Sequence, residues 1–196
     1  MRKKPRVQCH LSDLKGLATP SEKEISIILR AADEIIFKAG RTMLAKILKG
    51  SKDKKIVELQ LDQEPSYGYF NHLTIEEITK IIDWMIVNDY LDIDCDERLP
   101  LIIFSARGWE RYKPIYVEEL FLKILFLDED QTEDIINQLK QTNRQVIEML
   151  LLRIGESGNN QFIEFMIKWE DTEVKKVRTL INHSISNLKL ECHSEI

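Results

Sequence analysis

Gly40-Arg41-Thr42 is the stretch of this sequence best suited to holding an anion. The helix-forming run Arg41–Lys49 starts directly after a glycine. The amides of its first turn therefore lack intrahelical acceptors, and the helix dipole adds partial positive charge at that end. A phosphate fits such a terminus. Thr42 adds a hydroxyl, and Arg41 adds a planar fork able to make two parallel bonds. Lys38 stands just ahead, Lys46 and Lys49 extend the charge along the helix, and Lys52, Lys54 and Lys55 carry it into the next segment. From residue 38 to residue 55, seven basic residues face Asp53 alone. The bland alternative is a solvated basic face, which lysine runs often are.

The whole chain carries a net charge of −5, so any anion-binding capacity is local. Arg2, Lys3, Lys4 and Arg6 add bases near the start, whereas Asp128, Glu129, Asp130, Glu133 and Asp134 form an acidic stretch without a base. A basic patch can attract phosphate even on an acidic chain.

Other chemistry has little support. No G-x-x-x-x-G-K-[ST] phosphate loop occurs, so Leu125-Phe126-Leu127-Asp128-Glu129 is read as a helix end with an acidic turn and not as a magnesium-holding strand of a motor. Gly155-Glu156-Ser157-Gly158 is one residue short of a nucleophile elbow and falls between helices. His72 and His183 have no carboxylate partner in a motif. Cys9-His10 and Cys192-His193 supply four zinc-type ligands only if the termini meet; adjacent ligands crowd one tetrahedral ion, so the two pairs are read as unrelated. The expectation is no enzyme, no cofactor and no metal. Three widely spaced cysteines make no disulfide framework. The start Met-Arg-Lys-Lys-Pro-Arg has no apolar stretch behind it, and no apolar run nears the roughly 20 residues of a membrane helix. A cytoplasmic protein is expected.

The elements that must position the basic patch are mostly helical, since 7 glycines and 5 prolines in 196 residues leave long uninterrupted runs. Residues 1–20 read as an irregular arm. Ser21 and Glu24 form a capping box ahead of Ile25, Ile28, Leu29, Ala32, Ile35 and Ile36, a helix face closed by Gly40. The short helix 41–49 stops at Gly50. Residues 51–73 read as a polar loop with Tyr67, Tyr69 and Phe70, a cluster able to stack on unpaired bases but more commonly packed. Thr74 and Glu77 cap a third helix through Ile86. Tyr90–Asp94 and Leu99–Ser105 read as two strands joined by the tip Cys95–Arg98, and Arg107–Pro114 leads away from them. Helices are expected at 115–127, 132–140, 143–154, 159–170 and 172–189.

Helix, helix, loop, helix and a β-hairpin is the order of a winged helix. Residues 25–110 resemble the RecQ C-terminal domain, RQC, of the stand-alone, helicase-free type. The resemblance is carried by Phe37-Lys38-Ala39-Gly40-Arg41-Thr42-Met43-Leu44-Ala45-Lys46-Ile47-Leu48-Lys49-Gly50, by Tyr67-Gly68, by Ile81 through Leu91, and by Leu101–Ser105 with Gly108-Trp109. It implies that the start of the second helix and the basic loop after it grip the backbone of duplex DNA. RQC wings often carry an aromatic wedge at the tip; the acidic tip here puts strand separation in doubt. Residues 142–189 look similar to a HEAT-type repeat, on Leu151–Gly158, Phe162–Phe165, Asp171, Val174, Lys176-Val177-Arg178, Ile181, Ile185 and Leu188.

The expected organisation is therefore mainly α: an arm (1–20), an RQC-like winged helix (21–112) and a HEAT-like helical region (113–196). The expected function is non-catalytic binding of duplex or branched DNA through its phosphates, in repair or replication, using Lys38, Arg41, Thr42, Lys46, Lys49, Lys52, Lys54 and Lys55. The helical region is expected to serve a protein partner. The third helix offers Glu76, Glu77 and Asp83 against Lys80, a poor set for reading bases. A protein-interaction adaptor without nucleic-acid binding is the alternative, and a transcriptional regulator a second one.

Overall fold

The computed structural model describes residues 10–95 and 99–191. The terminal stretches bearing Arg2, Lys3, Lys4, Arg6, Cys9, Cys192 and His193, and the wing-tip residues Asp96, Glu97 and Arg98, lie outside the described residues. The described residues are mainly helical with one two-stranded sheet, a winged helix followed by helices. It divides into two units, the first ending at Tyr112 and the second starting at Lys113.

In the first unit, Ser21 and Glu24 close their capping box and start α1 (Glu22–Asp33). Its apolar face, Ile25, Ile28, Leu29 and Ala32, is buried. The helix stops at Asp33, seven residues before the glycine expected to end it. The reason is tertiary. Phe37 takes a positive φ of 58° and donates its amide to the Ile102 carbonyl at 3.1 Å, so the edge of the wing claims the backbone that would have continued the helix.

α2 (Arg41–Lys49) follows and ends at Gly50. The expected loop 51–73 contains a further helix, α3 (Lys54–Glu58), capped by the Asp53 side chain, and a 3-10 turn at Leu61–Gln63. Five helical residues are too few to leave a periodic signal, which is why the sequence reads as loop there. Phe70 is buried and Tyr69 packs edge-on against it at 5.0 Å. The Tyr67 hydroxyl donates to the Ser51 carbonyl. This aromatic cluster packs the loop onto α2. α4 (Ile75–Val87) opens with the Thr74–Glu77 capping box and packs on α2 through Ile78, Ile82 and Met85.

The wing is β1 (Leu91–Asp94) paired antiparallel with β2 (Leu101–Phe104), Leu91 opposite Phe104 and Asp94 opposite Leu101. α5 (Ala106–Leu125) begins immediately, with the Ser105 hydroxyl accepting from the Gly108 amide. The stretch 107–112 therefore packs back on the winged helix and does not lead away from it. Gly108 makes this packing feasible: any Cβ there would stand 1.7 Å from the Tyr90 carbonyl oxygen. Phe104 stacks on Tyr112 at 5.0 Å, and the Tyr112 hydroxyl donates to Asp33. Pro114 sits inside α5, so the helix runs through the point where a proline usually ends one.

The second unit continues α5 and adds α6 (Thr132–Gln141), α7 (Arg144–Gly155), α8 (Phe162–Glu170) and α9 (Lys175–Glu191). α7 and α8 each pack against α9. Their shared core holds Leu150, Leu151, Ile154, Phe162, Met166, Trp169, Ile181 and Leu188. Phe121 of α5 meets Phe162 at 4.9 Å. The Ser184 hydroxyl, buried, donates to the Leu151 carbonyl. Among the described residues, no helix is long and apolar enough to cross a membrane.

Candidate nucleic-acid interface

The basic patch lies in the first unit, where α1, α2 and the wing meet. Gly40 is the N-cap of α2 and supplies no side-chain cap, so nothing from that residue covers the amides of the first turn. Thr42, in that turn, is exposed. Lys38, Lys46 and Lys55 line one cleft together with Gly40, Arg41 and Thr42. The bases named from the sequence thus converge in part, but they are not equivalent.

Arg41 is turned inward. Its guanidinium pairs with Asp83 of α4, which is fully buried, and donates to the His10 carbonyl at 3.1 Å. The amide of Ser12 donates to the other Asp83 oxygen at 2.7 Å. The fork that the sequence offered to phosphate is thereby engaged in tying residues 10–12, α2 and α4 together. Asp83 in turn adds no negative charge to the outer face of α4. Glu76 and Glu77 do, and Lys80 is paired with Glu76 at 3.4 Å, so that face still carries little that suits phosphate.

Lys46 donates to Asp53 at 2.6 Å and Lys49 to the Asn71 carbonyl at 2.5 Å, both holding the chain that leaves α2. Lys54 pairs with Glu58 one turn on. Lys38 is exposed and reaches back to the Glu34 carbonyl, a neutral acceptor, and makes no ion pair among the described residues. Lys52 and Lys55 are exposed and make no side-chain ion pair among the described residues. Lys38, Lys52 and Lys55 are therefore the bases with charge to spare.

Two carboxylates that hold this surface are stabilised in their ionised form. The Lys46 ammonium, first, and then the Lys55 amide keep Asp53 below its ordinary value of 3.8. The Thr74 amide and hydroxyl keep Glu77 below its ordinary 4.5. A lowered folded-state pKa stabilises the fold above the unfolded-state value, and that stability is lost as pH falls through the folded one. The thermal midpoint should therefore hold steady from neutral pH down to about 5 and fall below about 4. Asp53→Asn and Glu77→Gln together should lower the neutral midpoint and flatten the acid limb. A scan by circular dichroism in which the double variant keeps the full acid slope would refute that assignment.

The RQC domain family model matches residues 17–114, half of the chain. The chain belongs to the RQC domain family. The RQC match takes in the capped α1, the α2 start, the wing and the first turns of α5. The chain is also 29% identical over 86 residues to the ATP-dependent DNA helicase RecQ of Bacillus subtilis (strain 168). That alignment covers 44% of this chain and 14% of the helicase, so the RQC protein spans about a seventh of that relative. No solved structure matches it.

Sequence reasoning missed Asp83 as an internal anchor. Its signal was present: a lone acid inside Ile81-Ile82-Asp83-Trp84-Met85, apolar on both sides. It also missed Met43, Leu99 and Pro100, which line the same cleft as the lysines.

Proposed function

We propose that this protein is a non-catalytic DNA-binding protein that holds duplex or branched DNA by its phosphates, through the start of α2 and the exposed lysines around it. One observation carries the reading: an RQC domain, the kind of domain that binds DNA within RecQ helicases, presents Lys38, Lys52 and Lys55 on its surface outside any ion pair among the described residues. The start of α2, which has no side-chain cap, and the exposed Thr42 add neutral donors on that side. With Glu76 and Glu77 outermost on α4, contacts run to the backbone and sequence preference is weak. The second unit serves as a HEAT-like interaction region, with α7 and α8 packed on α9. The turn Glu156–Gly158 has a structural role: the Ser157 hydroxyl donates to the Ile154 carbonyl at the end of α7. A repair or replication accessory in the cytoplasm fits these features.

The test is fluorescence anisotropy on duplex, forked, four-way and single-stranded DNA across a salt series. Three phosphate contacts predict a log–log slope near −2.7, or roughly a fortyfold loss of affinity between about 50 and 200 mM salt. Absence of binding at the lowest salt would reject the reading. The exposed acids of α4 favour one rival, a winged helix used as a protein adaptor. Salt-insensitive association with a protein and none with DNA is its signature.

A further inference from the structure

The cleft between the start of α2 and the wing has a volume of about 340 Å³. Its walls are of two kinds. Met43 on one side and Ile93, Leu99 and Pro100 on the other are apolar, and Leu99 is 70% exposed. Lys38 and Lys55 stand at its edge and are exposed. An apolar side chain left that open beside the wing is costly to hydrate and gains from a ligand surface.

The cleft is built into the backbone. Ile102 donates its amide to the Ala39 carbonyl at 2.9 Å and accepts from the Phe37 amide, which fastens residues 37–39 to β2. Gly40 then runs so close to the wing that a Cβ would stand 2.6 Å from the Pro100 carbonyl oxygen. A non-glycine residue at 37 in the left-handed region is uncommon, and it persists here because both flanking hydrogen bonds hold it. The opening is thus formed before any ligand arrives, at the small end of the size range of ligand pockets.

A flat apolar body joined to an anion satisfies both walls. We infer that this cleft takes one unpaired nucleotide at the end or branch of a bound DNA, with the base against Met43, Leu99 and Pro100 and its phosphate at Lys38 and Lys55. The inference rests on the DNA-binding reading and adds a determinant to it: preference for an end with an unpaired nucleotide over a flush end. Apolar contact with a base face is tolerant of sequence, so any of the four bases is accepted.

The experiment compares the binding of three 20-base-pair duplexes to the whole 196-residue chain: flush, with a single 3′ overhanging 2-aminopurine, and with a single 5′ overhanging 2-aminopurine. One overhang should bind about tenfold more tightly than the flush duplex, with a change in 2-aminopurine fluorescence on binding. Leu99→Ser, which adds no charge beside Lys38 and Lys55, should abolish both the preference and the fluorescence change, with the overhanging duplex losing several times more affinity than the flush one. Met43→Ala, a milder change inside α2, should reduce the preference without reversing it. Equal affinity for flush and overhanging duplexes, with salt-sensitive binding intact, would overturn the cleft assignment alone. No binding to any DNA would overturn the DNA reading as well. Binding of an apolar-acidic peptide in the cleft that leaves overhang binding unaffected would assign it to a protein partner instead.

Discussion

Replacing Lys38, Lys52 and Lys55 together by glutamate is expected to reduce duplex affinity at least a hundredfold at low salt and to make the log–log salt slope shallower by about 2.7, since each lost phosphate contact removes about 0.9. The choice of residues follows from what each base touches. Lys46 neutralises Asp53, Lys54 pairs with Glu58 and Lys49 holds the Asn71 carbonyl, so reversing any of these disturbs the chain around α3 as well as the charge. Lys38, Lys52 and Lys55 are exposed and make no side-chain ion pair among the described residues; Lys55 hydrogen-bonds Asp53 through its amide, which the substitution keeps. Their reversal should leave the melting midpoint within a few degrees of the parent. Unchanged affinity in a folded triple variant would remove this face from consideration. A matched loss of affinity and of folding would mean that these lysines matter to the structure after all.

The patch was legible in the sequence because charge density needs no geometry: seven bases in eighteen residues stand out by eye. What the sequence hid was which of them are already engaged. Arg41 meets a carboxylate 42 positions away and Lys49 a carbonyl 22 positions away. Such pairings depend on how α2 packs against α4 and against the loop ahead of it. Local pattern carries no information about them.

The same division holds for the fold. Both capping boxes, the apolar faces of α1 and α4 and the hairpin were readable, because each is specified within a few residues. The end of α1 was not, since it is set by Ile102 reaching Phe37 and Ala39 from 63 to 65 positions along. Nor was the start of α5, where Ser105 reads as the end of a strand until its hydroxyl is seen accepting the Gly108 amide. Gly108 illustrates the limit well. The glycine is visible, but the Tyr90 carbonyl that forbids any larger residue is not.

Asp83→Ala is expected to destabilise the first unit by about 3 kcal/mol, on the order of 10 °C in melting midpoint, because it strands a guanidinium and the Ser12 amide at once. The figure sits at the low end for a broken buried pair, since the Arg41 side chain keeps 20% of its exposure and retains the His10 carbonyl. Removing both charges is a different matter. Arg41→Met with Asp83→Leu should recover most of the loss, as apolar replacements of buried pairs often do. Urea unfolding of the two single variants and the double gives the coupling directly, and additive losses would mean that the pair is not what holds α2 to α4. The recovered double variant also separates the two roles that Arg41 has been given. If its guanidinium only braces the fold, the double variant binds duplex DNA with the parent salt slope. If it also meets a phosphate, the fold is restored but the slope is shallower by about 0.9. The buried partner predicts the first result, and the second would return Arg41 to the interface the sequence proposed for it.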